Sequence, residues 1–251
     1  MLLYYIRHGE PTYDPDCLTP NGERQAEAIA RRLARYGVDK IYSSSSIRAQ
    51  QTARPTAELT RREVVTLDWC HEDYAKAEMM LPSNGDPTGS SPSGGGKRRW
   101  CFYIPEIVTM MNSREVRALD DKWYDYPGFP PNRFKEGVLR VDREVDAWLD
   151  GLGYHHDREQ RCFIPIAPTE ERVALFAHHG FGMLFFSSVL DIPYPQFATR
   201  FDQSFTGLSV IHFYEEGGKV FPRMLELSND AHLYKDNLPT GRMRRPHRRE
   251  R

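Results

Sequence analysis

Short apolar runs alternate with amphipathic segments along this chain of 251 residues. The run Leu2 to Ile6 predicts a buried strand, and apolar residues at helical spacing from Ala26 to Tyr36 predict a helix with one buried face. Thr19 before Pro20 suits the start of that helix, and Gly37 suits its end. The alternation continues with a predicted strand at 40–42, a helix at 47–59 and a strand at 63–67.

Residues 82–131 interrupt this alternation. Serine, glycine and proline dominate residues 82–96, which predicts a flexible loop, and aromatic and proline residues follow up to Pro131. Regular structure resumes with a predicted helix at 132–149, a strand at 172–177, a helix at 182–190, and strands at 208–214 and 220–227.

Strands that alternate with helices predict an α/β fold, here a three-layer α/β/α sandwich with a mostly parallel central sheet. Residues 82–131 are then an insertion over the C-terminal edge of the strands. We expect one domain over residues 1–239. Residues 240–251 are a basic C-terminal tail, since they hold six Arg and one Glu while the whole chain has a formal net charge of −1.

Composition narrows the class of protein. A hydrophobic content of 39% with 12% aromatics supplies a sizeable core, which excludes wholesale disorder. The N-terminal apolar run is too short for a signal peptide, and the most apolar window, Val173 to Leu190, contains two histidines, so no membrane span is expected. The four cysteines are widely spaced without a CxxC pair, which predicts reduced thiols, no zinc site and a cytoplasmic protein.

Candidate chemistry lies at the ends of the predicted strands. In an open α/β sheet, ligands bind outside the carboxyl ends of the strands. Polar and reactive side chains follow four of the predicted strands, at Arg7-His8-Gly9, at Ser43 to Arg48, at Asp68 to Asp73 and at His178-His179-Gly180. We therefore expect two arginines, two or more histidines and an acidic group at one edge of the sheet.

These residue types suit phosphoryl transfer. Two arginine forks match phosphate oxygens, and a histidine can attack phosphorus through one ring nitrogen when the other is hydrogen-bonded. A second histidine can donate hydrogen bonds to the charge that develops on the transferring group, and a carboxylic acid can protonate the leaving oxygen. Because the cationic side chains supply the countercharge, we expect neither a metal nor a cofactor.

Five segments carry a family resemblance. They are Arg7-His8-Gly9-Glu10, Leu18 to Ala26, Tyr42-Ser43-Ser44 with Arg48 to Ala53, Phe176-Ala177-His178, and Asn229 to Leu233. The first resembles the RHG signature of the histidine phosphatase superfamily, phosphoglycerate mutase-like branch, and the others look like its later blocks in the family's order. The resemblance covers residues 2–80 and 132–233 and implies the fold that the alternation predicts.

The resemblance implies a role for each matching residue. His8 is the nucleophile that becomes phosphohistidine, and Arg7, Arg48 and His178 bind the phosphoryl group. Glu72 is the expected proton donor to the leaving group.

Two of these assignments have alternatives. Asp68 and Asp73 compete with Glu72 for the role of the acid. His178 takes the place of the family's second histidine, with His179 as the alternative, because two histidines precede the glycine here. Many relatives also have a phosphate-contacting asparagine shortly after RHG, and the comparable position in this sequence is near Asp14, whose charge would repel phosphate.

The function that these assignments predict is metal-independent hydrolysis of a phosphate monoester through a phosphohistidine intermediate on His8. The alternatives are a phosphoglycerate-type phosphomutase and a catalytically silent relative that binds a phosphorylated ligand. The expected partner is a small phosphorylated substrate, and nucleic-acid binding through the basic tail is a minor alternative. The sequence specifies neither the substrate nor the oligomeric state.

Two further groups have structural interpretations. The polar run His155-His156-Asp157 predicts a surface turn. The aromatic residues Trp100, Trp123 and Tyr124 either pack the insertion onto the body of the protein or line a substrate pocket.

Overall fold

The computed structural model describes residues 1–82 and 98–239. Helices in this part of the chain are α1 (Pro20–Tyr36), α2 (Ile47–Thr60), α3 (Glu72–Met79), α4 (Pro105–Met111), α5 (Arg114–Ala118), α6 (Phe134–Asp150), α7 (His179–Leu190), α8 (Tyr194–Ala198) and α9 (Ala231–Lys235). Strands are β1 (Leu2–Arg7), β2 (Pro11–Tyr13), β3 (Asp16–Leu18), β4 (Lys40–Ser44), β5 (Val64–Leu67), β6 (Met80–Pro82), β7 (Arg98–Trp100), β8 (Tyr154–Asp157), β9 (Cys162–Pro165), β10 (Arg172–Ala177), β11 (Leu208–His212), β12 (Glu215–Glu216), β13 (Lys219–Val220) and β14 (Arg223–Asn229). The expected loop, apart from Pro82, and the basic tail lie outside the described residues.

Six of the described strands form the central sheet, in the order β14-β11-β1-β10-β4-β5. Strands β1, β10, β4 and β5 pair in parallel, while β11 pairs antiparallel with both β1 and β14. Within this sheet only β11 therefore opposes the common direction. The carboxyl ends of β1, β10, β4 and β5 meet at one edge, and the predicted mostly parallel sheet is confirmed.

Helices cover both faces of the sheet. Successive side chains of β1 point to opposite faces, so they belong to two different cores. Tyr4 belongs to a core that includes Ile29 of α1. The next residue, Tyr5, belongs to the other core, together with Val145 of α6 and Phe185 of α7. The result is the three-layer α/β/α sandwich that the sequence predicts.

A close backbone approach joins the start of α1 to the loop after β1. The side chain of Thr19 caps α1, as predicted, by accepting a hydrogen bond from the N–H of Gly22. A Cβ on Gly22 would lie 2.2 Å from the carbonyl oxygen of Glu10, and a Cβ on Gly9 would lie 2.7 Å from the carbonyl oxygen of Gly22. Glycine at both positions lets the loop pack directly on the helix, which fixes the position of the residues after β1.

Two element boundaries differ from the prediction. The expected strand at 220–227 is divided between β13, which pairs with β9 and β12 in a side sheet, and β14, which pairs with β11 in the central sheet. Helix α7 begins at His179, three residues before its predicted start and two residues after β10 ends. The short connection places the N-terminus of α7 at the carboxyl edge of the sheet.

The prediction of a surface turn at His155 to Asp157 is wrong. These residues form β8 of the side sheet, whose strand order is β12-β13-β9-β8, and the side chain of His156 is fully buried. Its Nδ1 lies 2.9 Å from Asp146 of α6, and its Nε2 lies 3.0 Å from Asp191 at the end of α7. The burial of His156 could not be predicted from the polar residues around it, because its hydrogen-bond partners, Asp146 and Asp191, come from distant parts of the chain.

The aromatic residues of the insertion divide between the two interpretations. Trp123 is buried in the core, where its ring stacks on Tyr194 and contacts Phe134. Trp100 instead lies over Gly180, where a Cβ would come within 2.1 Å of its ring, and it lines a cavity at the sheet edge.

Among the described residues, no helix is long and apolar enough to cross a membrane.

Candidate active site

A cavity of about 370 Å³ lies at the carboxyl edge of the central sheet. The described residues that line it are Arg7, His8, Tyr13, Arg48, Glu72, Lys76, Met80, Trp100 and His179. All four polar strand ends noted in the sequence contribute to this wall. The fold thus brings together two cationic forks, a carboxyl group and imidazole rings from stretches far apart in the chain.

The ring of His8 is held in one tautomer. It is 3% exposed, and its Nδ1–H donates a hydrogen bond to the carbonyl oxygen of Gly9 over 2.7 Å. Burial, followed by the positive charges of Arg7 and Arg48, holds the pKa of His8 well below its ordinary value of 6.5. The ring is therefore neutral, and its Nε2 carries the lone pair that a nucleophile needs.

His178 lies beside His8, with 5.3 Å between the ring centroids. Its Nδ1 accepts a hydrogen bond from Nη2 of Arg48 over 3.1 Å, and its Nε2 lies 2.8 Å from Oγ of Ser44. Because arginine can only donate, Nδ1 is unprotonated and the proton of the neutral ring is on Nε2. Burial, then the neighbouring His8 and Arg48, keeps the pKa of His178 well below 6.5.

His179 occupies a different part of the site. It lines the cavity, its Nε2 lies 2.8 Å from Oδ1 of Asp202, and its ring stacks on Tyr103. The hydroxyl of Tyr5, on β1, donates to the carbonyl oxygen of His178 over 2.6 Å. This bond anchors the backbone of His178, the residue before His179, to β1. Of the two histidines, His178 is the one that contacts Arg48 and the ring of His8.

Two arginines, together with Lys76, provide positive charge at the cavity. Nη1 of Arg7 donates to the carbonyl oxygen of Gln203 over 2.6 Å, and its guanidinium stacks 4.1 Å from the ring centroid of Phe205. Arg48, at the start of α2, is only 4% exposed, and its Nη1 donates to Oδ1 of Asp16 over 2.6 Å. Both guanidinium groups are held in place by neighbouring protein residues, so they are preorganised for phosphate oxygens.

Glu72, the first residue of α3, places a buried carboxyl group against the N-terminus of α7. It is 6% exposed, and its two oxygens accept hydrogen bonds from the backbone N–H groups of Gly180 and Phe181 over 2.9 and 3.0 Å. Burial raises the pKa of Glu72 above its ordinary 4.5, although the two hydrogen bonds oppose this effect. This environment favours a carboxyl group that can hold a proton.

The two alternative acids have the opposite character. Hydrogen bonds from Ser45 and Tyr74 lower the pKa of Asp68, and a hydrogen bond from Lys76 lowers that of Asp73. Neither residue is among the described residues that line the cavity. Both are carboxylates at neutral pH, so they are poorly suited to donate a proton.

Four residues at the site were not found from the sequence: Tyr13, Asp16, Lys76 and Met80. Asp14, near the position of the family's phosphate-contacting asparagine, is exposed, whereas Asp16 contacts Arg48. The ring centroid of Tyr13 lies 5.7 Å from the carbon of that guanidinium. Lys76 lies one helical turn after Glu72, and this i, i+4 spacing was a signal that could have identified it. Among the described residues, no group of three or more His, Cys, Asp or Glu side chains is arranged to hold a metal ion.

Comparisons with known proteins show which family and which folds the chain resembles. The model of the family described as "Histidine phosphatase superfamily (branch 1)" matches residues 3–84. A curated relative, "Probable phosphoglycerate mutase GpmB" of Serratia proteamaculans, is 24% identical over 187 residues, which cover 59% of this chain and 87% of that protein.

Solved structures share the fold. The phosphoserine phosphatase of Entamoeba histolytica, solved with 3-phosphoglyceric acid, has a TM-score of 0.55 and 19% identity, covering 92% of this chain and 98% of that one. The mycobacterial glucosyl-3-phosphoglycerate phosphatase, solved with inorganic phosphate, has a TM-score of 0.57 and 16% identity, covering 92% and 98%. At these identities the likeness shows the fold alone.

The α/β/α fold is the one that these solved structures share. Over residues 3–84, which include the RHG loop after β1, the chain is similar to the histidine phosphatase superfamily. The resemblance inferred from the sequence is confirmed.

Proposed function

We propose that this protein is a phosphatase that hydrolyses a phosphate monoester through a phosphohistidine intermediate on His8. The observation that carries the proposal is the neutral His8 ring, fixed by Gly9 and flanked by the guanidinium groups of Arg7 and Arg48. The cations that suppress protonation of this ring are the groups that attract a phosphate dianion. One arrangement thus supports both substrate binding and nucleophilic attack.

In the first step, Nε2 of His8 attacks phosphorus while Arg7 and Arg48 hold the phosphoryl oxygens. The ester P–O bond breaks, its electron pair goes to the leaving oxygen, and that oxygen takes the proton of Glu72. The imidazole ring becomes positively charged as the N–P bond forms. The hydrogen bond from Nδ1–H to Gly9 stabilises this charge, because the carbonyl oxygen carries the negative end of its dipole.

In the second step, water replaces the departed alcohol. The carboxylate of Glu72 removes a proton from the water as the oxygen bonds to phosphorus. The N–P bond breaks, and its electron pair returns to Nε2 of His8. The products are inorganic phosphate, neutral His8 and protonated Glu72, so the enzyme returns to its starting state.

His178 completes the phosphate site by holding Arg48. The hydrogen bond from Nη2 of Arg48 to Nδ1 of His178 fixes the orientation of the guanidinium. Direct donation from His178 to the phosphoryl group, as the family resemblance implies, uses its Nε2–H, which Ser44 accepts in this structure. Such donation requires the Nε2–H to leave Ser44, because His178 is fully buried and is not among the described residues that line the cavity.

The size and charge of the cavity support a small phosphorylated substrate. A volume of about 370 Å³ lies at the lower end of the range for small-molecule sites. The phosphatases of similar fold act, by their names, on phosphoserine and on glucosyl-3-phosphoglycerate. The protein that matches in sequence is named a probable phosphoglycerate mutase, so transfer to a second hydroxyl group, instead of to water, is the second candidate function.

A panel of phosphate esters tests the proposal. We expect the wild type to release inorganic phosphate from at least one ester in the presence of EDTA, and His8→Ala to release none. His155→Ala, which changes an exposed histidine that is not among the described residues lining the cavity, is the matched control and should retain full activity. Turnover by His8→Ala contradicts the nucleophile assignment, and loss of activity with EDTA contradicts metal independence. Transfer of label to an added alcohol acceptor, without release of phosphate, favours the mutase.

A further inference from the structure

The hairpin of β2 and β3 delivers a carboxylate to the phosphate site, defined here as Arg7, His8, Arg48 and His178. In this hairpin Tyr13 pairs with Asp16. Oδ1 of Asp16 accepts a hydrogen bond from Nη1 of Arg48 over 2.6 Å, and the ring of Tyr13 lies beside the same guanidinium. The carboxylate at the phosphate site is therefore that of Asp16, which is a partner of Arg48. It lies two residues after Asp14, where the sequence suggested a charge that would repel phosphate.

The hairpin is fixed at this position. Oδ2 of Asp16 accepts a hydrogen bond from the backbone N–H of Ile47, the first residue of α2, over 3.2 Å. The backbone N–H of Leu18 donates to Oε1 of Gln51, one turn further along α2, over 2.7 Å. Asp16 thus bridges the start of α2 and the side chain of Arg48, and it is anchored independently of any ligand.

Arg48 is held from two sides. Nη1 binds Asp16, and Nη2 binds Nδ1 of His178, so the plane of the guanidinium is set by residues from β3 and from the end of β10. The side chain of Arg48 is 5% exposed, while that of Asp16 is 30% exposed. Because water has little access to the arginine, it screens the attraction between the two charges less than it would at the surface.

We propose that Asp16 is a positioning residue of the phosphate site: it fixes the guanidinium of Arg48 and offsets one of the two arginine charges. This inference rests on the proposed function and adds regulation of affinity at the same site. A phosphatase must release inorganic phosphate after each turnover. An Arg48 without its acidic partner would hold the product more tightly, and the Asp16 carboxylate weakens that attraction without displacing Arg48.

Titration calorimetry with inorganic phosphate as the probe tests the proposal. Asp16→Asn keeps an amide oxygen that can accept from Arg48, loses the bond from the N–H of Ile47 and removes the charge. We expect it to bind phosphate about tenfold more tightly than the wild type. Asp16→Ala removes the anchor as well, so it should bind at least fivefold more weakly than Asp16→Asn. Asp14→Asn removes the same charge from the same hairpin without contacting Arg48, and should stay within twofold of the wild type.

A spectroscopic readout separates positioning from a merely structural role. Nitrogen NMR of the His178 ring reports the hydrogen bond that Nδ1 accepts from Arg48. The Nδ1 signal should shift in Asp16→Ala and stay unchanged in Asp16→Asn and Asp14→Asn. Thermal unfolding of each variant establishes that the fold is retained, and the conservative Asp16→Asn variant keeps the test valid if Asp16→Ala does not fold.

The proposal is overturned if Asp16→Asn binds phosphate within twofold of the wild type or more weakly, or if Asp16→Ala matches Asp16→Asn. A wild type that binds no phosphate overturns it together with the phosphate site. A wild type that binds phosphate and shows the expected order of affinities, but hydrolyses no ester, contradicts the proposed phosphatase and leaves the role of Asp16 intact.

Discussion

Nη2 of Arg48 donates a hydrogen bond to Nδ1 of His178 across 3.1 Å, although the two residues are 130 positions apart in the chain. The bond joins the first turn of α2 to the carboxyl end of β10. It also fixes the tautomer of His178, because an arginine donor requires an unprotonated Nδ1. The orientation of one cationic group and the protonation of one imidazole are therefore set by a single contact.

Replacement of Arg48 by Lys tests the importance of this geometry. A lysine keeps the charge but has one compact ammonium group, which cannot bind Asp16, His178 and phosphate in one plane. We expect Arg48→Lys to lower kcat/KM by about a hundredfold. Arg54→Lys, at an exposed position on the same helix where arginine pairs with Glu58, is the matched control. A loss smaller than threefold in Arg48→Lys would show that charge alone is sufficient.

Replacement of Glu72 by Gln tests the assignment of the acid. Because burial raises the pKa of Glu72, its protonated form persists to higher pH than that of an ordinary carboxyl group, and activity should fall as pH rises through this raised pKa. Glu72→Gln should lower kcat/KM, which reports phosphorylation of His8, about 10²- to 10⁴-fold for an alkyl phosphate and far less for 4-nitrophenyl phosphate, whose leaving group needs no proton. Hydrolysis of the phosphohistidine should slow equally for both esters, because the attacking water loses its base. The high-pH decline should also disappear.

The same assay distinguishes Glu72 from its alternatives. Asp68→Asn and Asp73→Asn remove carboxylates whose pKa values are lowered by hydrogen bonds, and both variants should retain the leaving-group preference of the wild type. Selective loss of alkyl phosphate hydrolysis in either variant, with Glu72→Gln unaffected, transfers the role of acid to that residue.

Much of the fold could be predicted from the sequence because its signals are local. The apolar run of β1, the Thr19 cap and the Gly37 end of α1 each depend on neighbouring residues, and all three occur in the structure. The site loop after β1 was predictable for the same reason, since the rule that ligands gather at carboxyl strand ends needs only the strand order.

The remaining features depend on contacts between distant residues. Glu72 meets the amides of Gly180 and Phe181 from more than a hundred positions away. The partners of His156 lie on two different helices, so a polar run was interpreted as a surface turn. Asp16 and Arg48 are brought together by a short hairpin with little apolar patterning.

We expect the His156 cluster (Asp146, His156, Arg158 and Asp191) to make the free energy of unfolding depend on pH. Burial lowers the pKa of His156, but its hydrogen bonds to Asp146 and Asp191 outweigh burial and raise the pKa above 6.5. A raised folded-state pKa gives a contribution that is fully present below pH 6.5 and is lost as pH rises through the folded-state pKa. His156→Gln should reduce the free energy of unfolding by about 3 kcal/mol at pH 6 and flatten its dependence on pH above 6.5.

Urea denaturation at a series of pH values measures this effect. His155→Gln is the matched control, because His155 is the preceding residue of β8 and its side chain is largely exposed. Its free energy of unfolding should follow that of the wild type at every pH. A parallel pH dependence in His156→Gln and the wild type would show that the cluster does not titrate in this range.

The most direct test of the account is detection of the phosphohistidine on His8. The wild type is mixed with a substrate from the ester panel, quenched in alkali within one turnover because N–P bonds are labile in acid, digested and analysed by mass spectrometry. We predict one phosphoryl group on the peptide that contains His8, which appears and decays at rates that match turnover. Turnover without this adduct, or an adduct on another residue, would contradict the mechanism.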